Sequence, residues 1–246
     1  MNRVKVDQER WNKAQEWEKS FWLRSQKSKA KYGKNYARKL LNLLKSKDRK
    51  FIGDDWNYWW KEKFADYSFL PPSVENAIEL GCGPFTNMRI ITQICKVNHL
   101  VLSDPLIKTY LTFRDTFVSK MYKGLGCTID DHPIEEIPYL DNYFDLTVMI
   151  NVLDHVKDAE ACMIRAIDIT KKDGILIIGQ DLTSEEDLKN NEKMANDLGH
   201  PIRLDHNFLD KFLTEKFEKL EYKILSREEG RNLAHYGTYI FAGKKL

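Results

Sequence analysis

Glu79-Leu80-Gly81-Cys82-Gly83-Pro84 is the stretch on which the reading of this chain turns. It closes an apolar run from Val74 to Leu80 and precedes a mixed stretch opening at Phe85, so it reads as a strand, a turn with glycines at alternate positions, and a helix. Glycines there let a ligand approach the backbone without meeting a Cβ. Strand-to-helix turns also carry glycines for steric reasons alone, so the turn gains weight from its surroundings. Asp104 ends the next strand-like run, Leu100 to Ser103, 23 residues after Gly81. A carboxylate there can accept hydrogen bonds from ribose hydroxyls.

Outward from this point, short apolar runs alternate with longer mixed ones, the pattern of βαβ units and a parallel sheet. Further strands are expected at Cys127 to Ile129, Phe144 to Ile150, Gly174 to Gly179, Leu220 to Leu225 and Tyr236 to Ala242, with helices over roughly Phe85 to Cys95, Leu106 to Tyr122, Asp158 to Thr170 and Asn207 to Phe217. The expectation is an α/β fold: a seven-stranded, mostly parallel Rossmann-like sheet with helices on both faces and an N-terminal helical lid. Residues 1–70 are assigned to the lid and acceptor-binding appendage, and residues 71–246 to the cofactor-binding domain.

The division at residue 70 rests on composition. Residues 1–63 carry 18 Lys and Arg against 8 Asp and Glu, a balance of +10, which leaves −8 for the rest of a chain whose net charge is +2. All six tryptophans (11, 17, 22, 56, 59 and 60) fall in the same segment. Trp11, Ala14, Trp17, Phe21 and Trp22 recur at helical spacing, as do Tyr32, Tyr36, Leu40 and Leu44, which predicts two amphipathic helices. Pro71-Pro72 then forces an extended connection. The chain offers no signal-like start and no run long enough to span a bilayer, so a cytoplasmic protein without a membrane partner is expected. Cys82, Cys95, Cys127 and Cys162 are scattered without a C-x-x-C pair, so neither disulfides nor a thiolate metal site is expected, and no metal is assigned.

Two ligand classes suit a glycine turn followed by a ribose-binding acid. A dinucleotide fingerprint would place a third glycine at position 86, which here is Thr, and a pyrophosphate needs that close packing at a free helix N-terminus. An amino-acid nucleoside needs its ammonium and ribose held instead, and Glu79 stands just before the turn as an anion for that ammonium. The pattern favours S-adenosylmethionine over NAD.

Four segments, in order, carry a family resemblance: E-L-G-C-G-P at 79–84, L-S-D-P at 102–105, Y-F-D-L-T-V-M-I-N-V-L-D-H-V at 143–156 and K-D-G-I-L-I-I at 172–178. Together they resemble the motifs of class I S-adenosylmethionine-dependent methyltransferases of the small-molecule type. The resemblance implies that Gly81, Cys82 and Gly83 line the methionine half of the cofactor site, with Glu79 beside the amino group. It implies that Asp104 and Pro105 meet the ribose, and that Asn151 and Val152 face the cofactor at the end of the fourth strand. The usual acid that meets adenine is replaced here by Pro133-Ile134, and Asp131 with His132 is the substitute. Gly199-His200-Pro201-Ile202-Arg203 resembles the segment after the fifth strand in ubiquinone-type and sugar-modifying methyltransferases.

Displacement at an activated sulfonium depends mainly on positioning, and a base is needed when the acceptor is a hydroxyl. His155, just past the fourth strand, is the candidate base and an acceptor contact. Trp59, Trp60, Gln180, His200, Arg203, Arg231 and His235 complete the expected acceptor set, and its arginines suit a carboxylate or phosphate. The expected enzyme methylates a small polar acceptor, anionic ones such as sugar phosphates included, with O-methylation favoured. Two alternatives stand beside it: RNA methylation using the basic segment, although nucleic acid is not the expected partner, and a cofactor-binding protein without catalysis.

Overall fold

The computed structural model describes residues 3–31, 55–113, 126–230 and 232–246. Seven strands form one sheet: β1 (Ser73–Leu80), β2 (Lys96–Ser103), β3 (Thr128–Asp130), β4 (Phe144–Ile150), β5 (Thr170–Leu182), β6 (Phe217–Ser226) and β7 (Gly237–Lys245). Their order is β3-β2-β1-β4-β5-β7-β6. Neighbours pair in parallel from β3 to β5, whereas β7 runs antiparallel to both β5 and β6. The order reverses direction beside β1, which lies between β2 and β4, and a cleft outside the carboxyl ends of the strands belongs at such a point.

Alternation along the strands divides the core in two. Ile78, Leu80, Met149, Leu176, Ile178, Tyr239 and Phe241 face one side. Ala77, Leu146, Val148, Ile177, Ile240 and Ala242 face the other. Residues buried on both faces explain why these strands read as continuous apolar runs. The first face is covered by α5 (Ala159–Ile169) and α8 (His206–Leu213). The second is covered by α2 (Asp55–Lys63), which brings Trp60 and is followed by Phe64 and Tyr67, and by the short α3 (Met88–Ile91) and α4 (Ile107–Tyr110). Two short helices that the sequence reading omitted, α6 (Glu185–Asn190) and α7 (Glu192–Ala195), follow β5. Asp158, Ser184, Asn191 and Asp205 cap α5, α6, α7 and α8 by accepting from backbone amides.

The helix expected from Phe85 to Cys95 is reduced to α3. Residues 84–87 remain in the turn because the amides of Asn87 and Met88 donate to Glu79. Of the helix expected from Leu106 to Tyr122, α4 is described and residues 114–125 lie outside the described residues, as does the predicted Tyr32–Leu44 helix.

Helix α1 (Gln8–Lys31) confirms the helical spacing of Trp11, Ala14, Trp17 and Trp22. An extended arm before it stitches two loops together: Arg3 pairs with Arg203 and Lys5 with Asp158, and Val4 and Val6 pack on the first core face. This arm fixes where α1 leaves the sheet edge. Among the described residues, no helix is long and apolar enough to cross a membrane.

Candidate active site

A cleft opens at the switch point, lined by residues just past four strands and by one face of α1. After β1 come Gly81, Cys82, Gly83, Pro84 and Phe85; after β2, Asp104, Pro105 and Leu106; after β3, Pro133, Ile134 and Glu135; after β4, Asn151, Val152, His155 and Val156. Helix α1 contributes Trp11, Gln15, Glu18 and Trp22, and α2 contributes Asn57 and Trp60.

The turn after β1 holds two positive-φ glycines, Gly81 at +66° and Gly83 at +54°. A Cβ on Gly81 would stand 2.5 Å from the Val152 side chain, whereas one on Gly83 would meet nothing within 4 Å. Gly83 therefore leaves open space along its backbone. Its amide donates to Asp104 Oδ2 at 3.0 Å, and the Leu106 amide donates to Oδ1 at 2.8 Å. Each carboxylate oxygen keeps acceptor capacity for a ligand hydroxyl. Burial pushes the Asp104 carboxyl up to about 7, against the two amide bonds that favour its charged form.

Asn151 stands across the turn, directly after β4, in a left-handed conformation at φ +57°. Its amide donates to the Gly179 carbonyl at 2.6 Å. Its Oδ1 is buried and accepts no hydrogen bond among the described residues. An unsatisfied buried acceptor at a strained backbone position is costly unless a ligand donor fills it.

At the other end, Trp11 Nε1 and Gln15 Nε2 of α1 donate to the His155 carbonyl at 3.2 and 3.3 Å. The His155 ring has Nδ1 3.1 Å from the Gly199 carbonyl. In the neutral ring that acceptor places the proton on Nδ1 and the lone pair on Nε2. His200 packs against it, ring centroids 4.4 Å apart, with Nδ1 2.5 Å from Asp197 Oδ2. Burial lowers the tendency of His200 to protonate, but the Asp197 bond and the charges of Asp154 and Asp197 outweigh it, and its pKa is raised. Asp154 lies behind both rings, 6% exposed. Burial disfavours its charge, yet the two histidines and Gln180 reverse the balance and hold it below the usual carboxylate range.

Of the residues singled out from the sequence, the cleft gathers Gly81, Cys82, Gly83, Asp104, Pro105, Asn151, Val152, His155 and Trp60. Several others lie elsewhere. Glu79 is 1% exposed and is not among the cleft-lining residues; Thr86 Oγ1, the Asn87 amide and side chain, and the Met88 amide all donate to it. These bonds tie it to the segment after the glycine turn. Asp131 pairs on the surface with Lys108 at 2.5 Å, and His132 folds back on Asp130 at 2.9 Å; the lining past β3 is Pro133, Ile134 and Glu135 instead. Trp59 packs edge-on against Trp60, centroids 4.8 Å apart, outside the lining.

Gln180 is buried beneath the β4 loop, accepting from the Leu153 amide at 3.0 Å. Arg203 is buried with its guanidinium occupied by the carbonyls of Met194, Ile202 and His200, so it is not available to bind an anion. His235 reaches Thr183 Oγ1 at 3.3 Å, and Arg231 lies outside the described residues. Sequence reasoning missed Gln15, Glu18, Asn57 and Tyr110. Trp11, Gln15, Glu18 and Trp22 follow each other at four-, three- and four-residue steps, so this mixed polar and aromatic face was present in the helical period.

Residues 78–178 match the family model of a methyltransferase domain. Over that stretch, which runs from β1 to β5 and includes the cleft residues 81–85, 104–106, 150–152, 155 and 156, the chain is similar to S-adenosylmethionine-dependent methyltransferases. The fold agrees in solved structures of low sequence identity. The N-methyltransferase NodS from Bradyrhizobium japonicum, bound to S-adenosyl-L-homocysteine, superposes with a TM-score of 0.54 at 14% identity, covering 76% of this chain and 84% of that one. Geranyl diphosphate methyltransferase in complex with SAM gives 0.58 at 8%, covering 77% and 85%. The [4+2]-cyclase SpnF gives 0.56 at 15%, covering 78% and 80%. A cyclase on the same fold means that topology alone does not fix the reaction. No curated protein gives a significant match.

Proposed function

We propose that the protein transfers a methyl group to the hydroxyl of a small acceptor seated between α1 and His155. The observation that carries this reading is the pairing, across one glycine turn, of an orphaned buried acceptor on Asn151 with the half-satisfied carboxylate of Asp104. These groups suit an ammonium and a ribose, and the open side of Gly83 suits a chain lying along the backbone. Bound S-adenosylmethionine supplies an activated methyl group there. The chain's own residues hold and enclose. Asn151 Oδ1 accepts from the ammonium, Asp104 accepts from ribose hydroxyls, and the backbone near Pro133 and Ile134 borders the adenine.

Helix α1 acts as a lid. Its Trp11 and Trp22 cover the cleft, Trp22 packs on Phe85 at 5.6 Å between centroids, and exclusion of water strengthens every polar contact beneath it. The Nε2 lone pair of His155 is the group placed to accept a proton from an acceptor hydroxyl. The lining carries Glu18, Asp104 and Glu135 and, among the described residues, neither Lys nor Arg. A neutral polar acceptor suits that lining better than the anionic one expected from Arg203 and Arg231.

The test is a screen with methyl-labelled S-adenosylmethionine over neutral polyols, phenols and sugars, with sugar phosphates and amines as comparison sets. Label in a neutral hydroxyl compound, lost in His155→Ala, is the expected result. Label confined to phosphorylated compounds or to RNA would overturn the acceptor assignment.

A further inference from the structure

At the acceptor end, Asp154, His155 and His200 bring one ligand atom each to within 4.8 Å of one another. We infer that these three side chains form a binding site for a divalent transition-metal ion, with Asp154 Oδ1 and the Nε2 atoms of His155 and His200 as its protein ligands.

Three observations converge. Asp154 Oδ1 is buried and takes no hydrogen bond among the described residues, in a side chain 9% exposed. A buried carboxylate oxygen without a partner is unfavourable, and the nearest ring nitrogen, His155 Nε2 at 3.9 Å, is too far to hydrogen-bond to it. On the opposite oxygen, His200 Nε2 stands 3.8 Å from Oδ2, again too far. Finally, each imidazole is oriented from outside through Nδ1, His155 by the Gly199 carbonyl at 3.1 Å and His200 by Asp197 at 2.5 Å. That arrangement turns both Nε2 atoms inward and is the outer support that metal-ligating histidines receive.

Ligands about 2.1 Å from a common ion stand roughly 3 to 3.5 Å apart, so side-chain movements of up to about 1 Å bring atoms that now lie within 4.8 Å of one another onto one ion. Two imidazoles with one carboxylate suit Zn2+, Co2+, Mn2+ or Fe2+ better than Ca2+, and leave positions open for an acceptor oxygen. His155 reaches the cleft lining while Asp154 and His200 stand behind it.

This inference deepens the acceptor reading above and revises one role within it. With an ion in place, His155 Nε2 would be a ligand instead of the base, and the ion would hold the acceptor oxygen and lower its pKa so that the hydroxyl proton leaves to water. No ligand spacing signals this site along the chain, because His200 comes from the loop after α7 and meets Asp154-His155 only in the fold.

The experiment is metal binding to the full chain stripped with chelator, read by calorimetry with Zn2+ and by visible absorption with Co2+. One ion per chain is expected, with affinity lowered at least tenfold in Asp154→Asn and in His200→Gln, and roughly 10-fold to 100-fold in Asp197→Asn, which removes only the outer support. The four cysteines are buried, so a Co2+ spectrum without thiolate charge transfer is expected. Adenosylhomocysteine binding serves as the folding control and reports separately on the methyltransferase reading. Metal binding that is absent, or unchanged in both Asp154→Asn and His200→Gln while adenosylhomocysteine still binds, would overturn the metal site alone.

Discussion

At the donor end of the cleft, the lining comes from residues 81–85, 104–106 and 150–152, each group just beyond the carboxyl end of a neighbouring strand. At the acceptor end it comes from α1 and His155, with His200 behind, and these are joined by contacts between distant parts of the chain such as Trp11 with the His155 carbonyl. The donor end is therefore built by the sheet itself, which the apolar pattern of the strands specifies. The acceptor end depends on how an N-terminal arm and helix are laid over the sheet by a few bonds, Arg3 to Arg203 and Lys5 to Asp158 among them. Binding of the donor and chemistry on the acceptor should accordingly respond to different substitutions.

The largest separation is expected from His155→Ala. Loss of a positioned base or metal ligand lowers turnover about 10²-fold to 10⁴-fold, while adenosylhomocysteine affinity stays at the wild-type value, as read by steady-state rates beside calorimetry. Equal losses in both would mean that the two ends form one unit. Next comes Asp104→Ala, which removes the ribose acceptor and weakens adenosylhomocysteine by about 1–3 kcal/mol. Unchanged affinity would move the ribose contact elsewhere.

A smaller effect follows from the titration of Asp104, whose carboxyl is pushed from 3.8 to about 7 by burial. The folded protein holds this proton to higher pH than the unfolded chain does. This group therefore lowers the stability of the ligand-free protein progressively as pH rises from about 4 to about 7, with the full cost above that range. Donors from a ribose favour the charged form, so affinity for adenosylhomocysteine climbs as pH rises through 7 and levels off above. Calorimetry across that range should show the climb in the wild type and a flat profile in Asp104→Asn; a flat wild-type profile would contradict the assignment. The smallest change belongs to Trp22→Ala on α1. Loss of its packing on Phe85, worth roughly 0.5–1.5 kcal/mol for an aromatic pair, should raise the acceptor KM several-fold with little change in kcat. A fall in kcat with KM intact would argue against α1 as a cover over the acceptor.

The same contrast explains what was legible in the amino-acid sequence. The inner strands were visible because residues such as Ile78, Val148 and Ile177 are buried on one or the other face of the sheet, whereas the edge strands β3 and β6 are half-exposed and show only short apolar or aromatic stretches. Gly81, Gly83 and Asp104 were legible as cleft residues from their offsets from strand ends, and Asn151 from the family resemblance. Glu79 was read as a cofactor contact from the same local logic. Its offset could not reveal that Thr86, Asn87 and Met88 would enclose it. Arg203 and His235 were read as acceptor contacts from residue type alone, and type does not say that the Arg203 guanidinium would go to three carbonyls. Residue type does not separate Glu18 from Glu9 and Glu16 on the same helix, and only its placement beside His155, 3.9 Å from Nδ1, marks it out.

The central claim is that the switch-point cleft holds an adenosyl amino acid through Asn151 and Asp104. The most direct measurement is calorimetric titration of the protein with S-adenosylhomocysteine and, separately, with NAD. One adenosylhomocysteine bound per chain, weakened in Asp104→Ala, with no heat from NAD, is the predicted result; binding of NAD without any response to adenosylhomocysteine would contradict it.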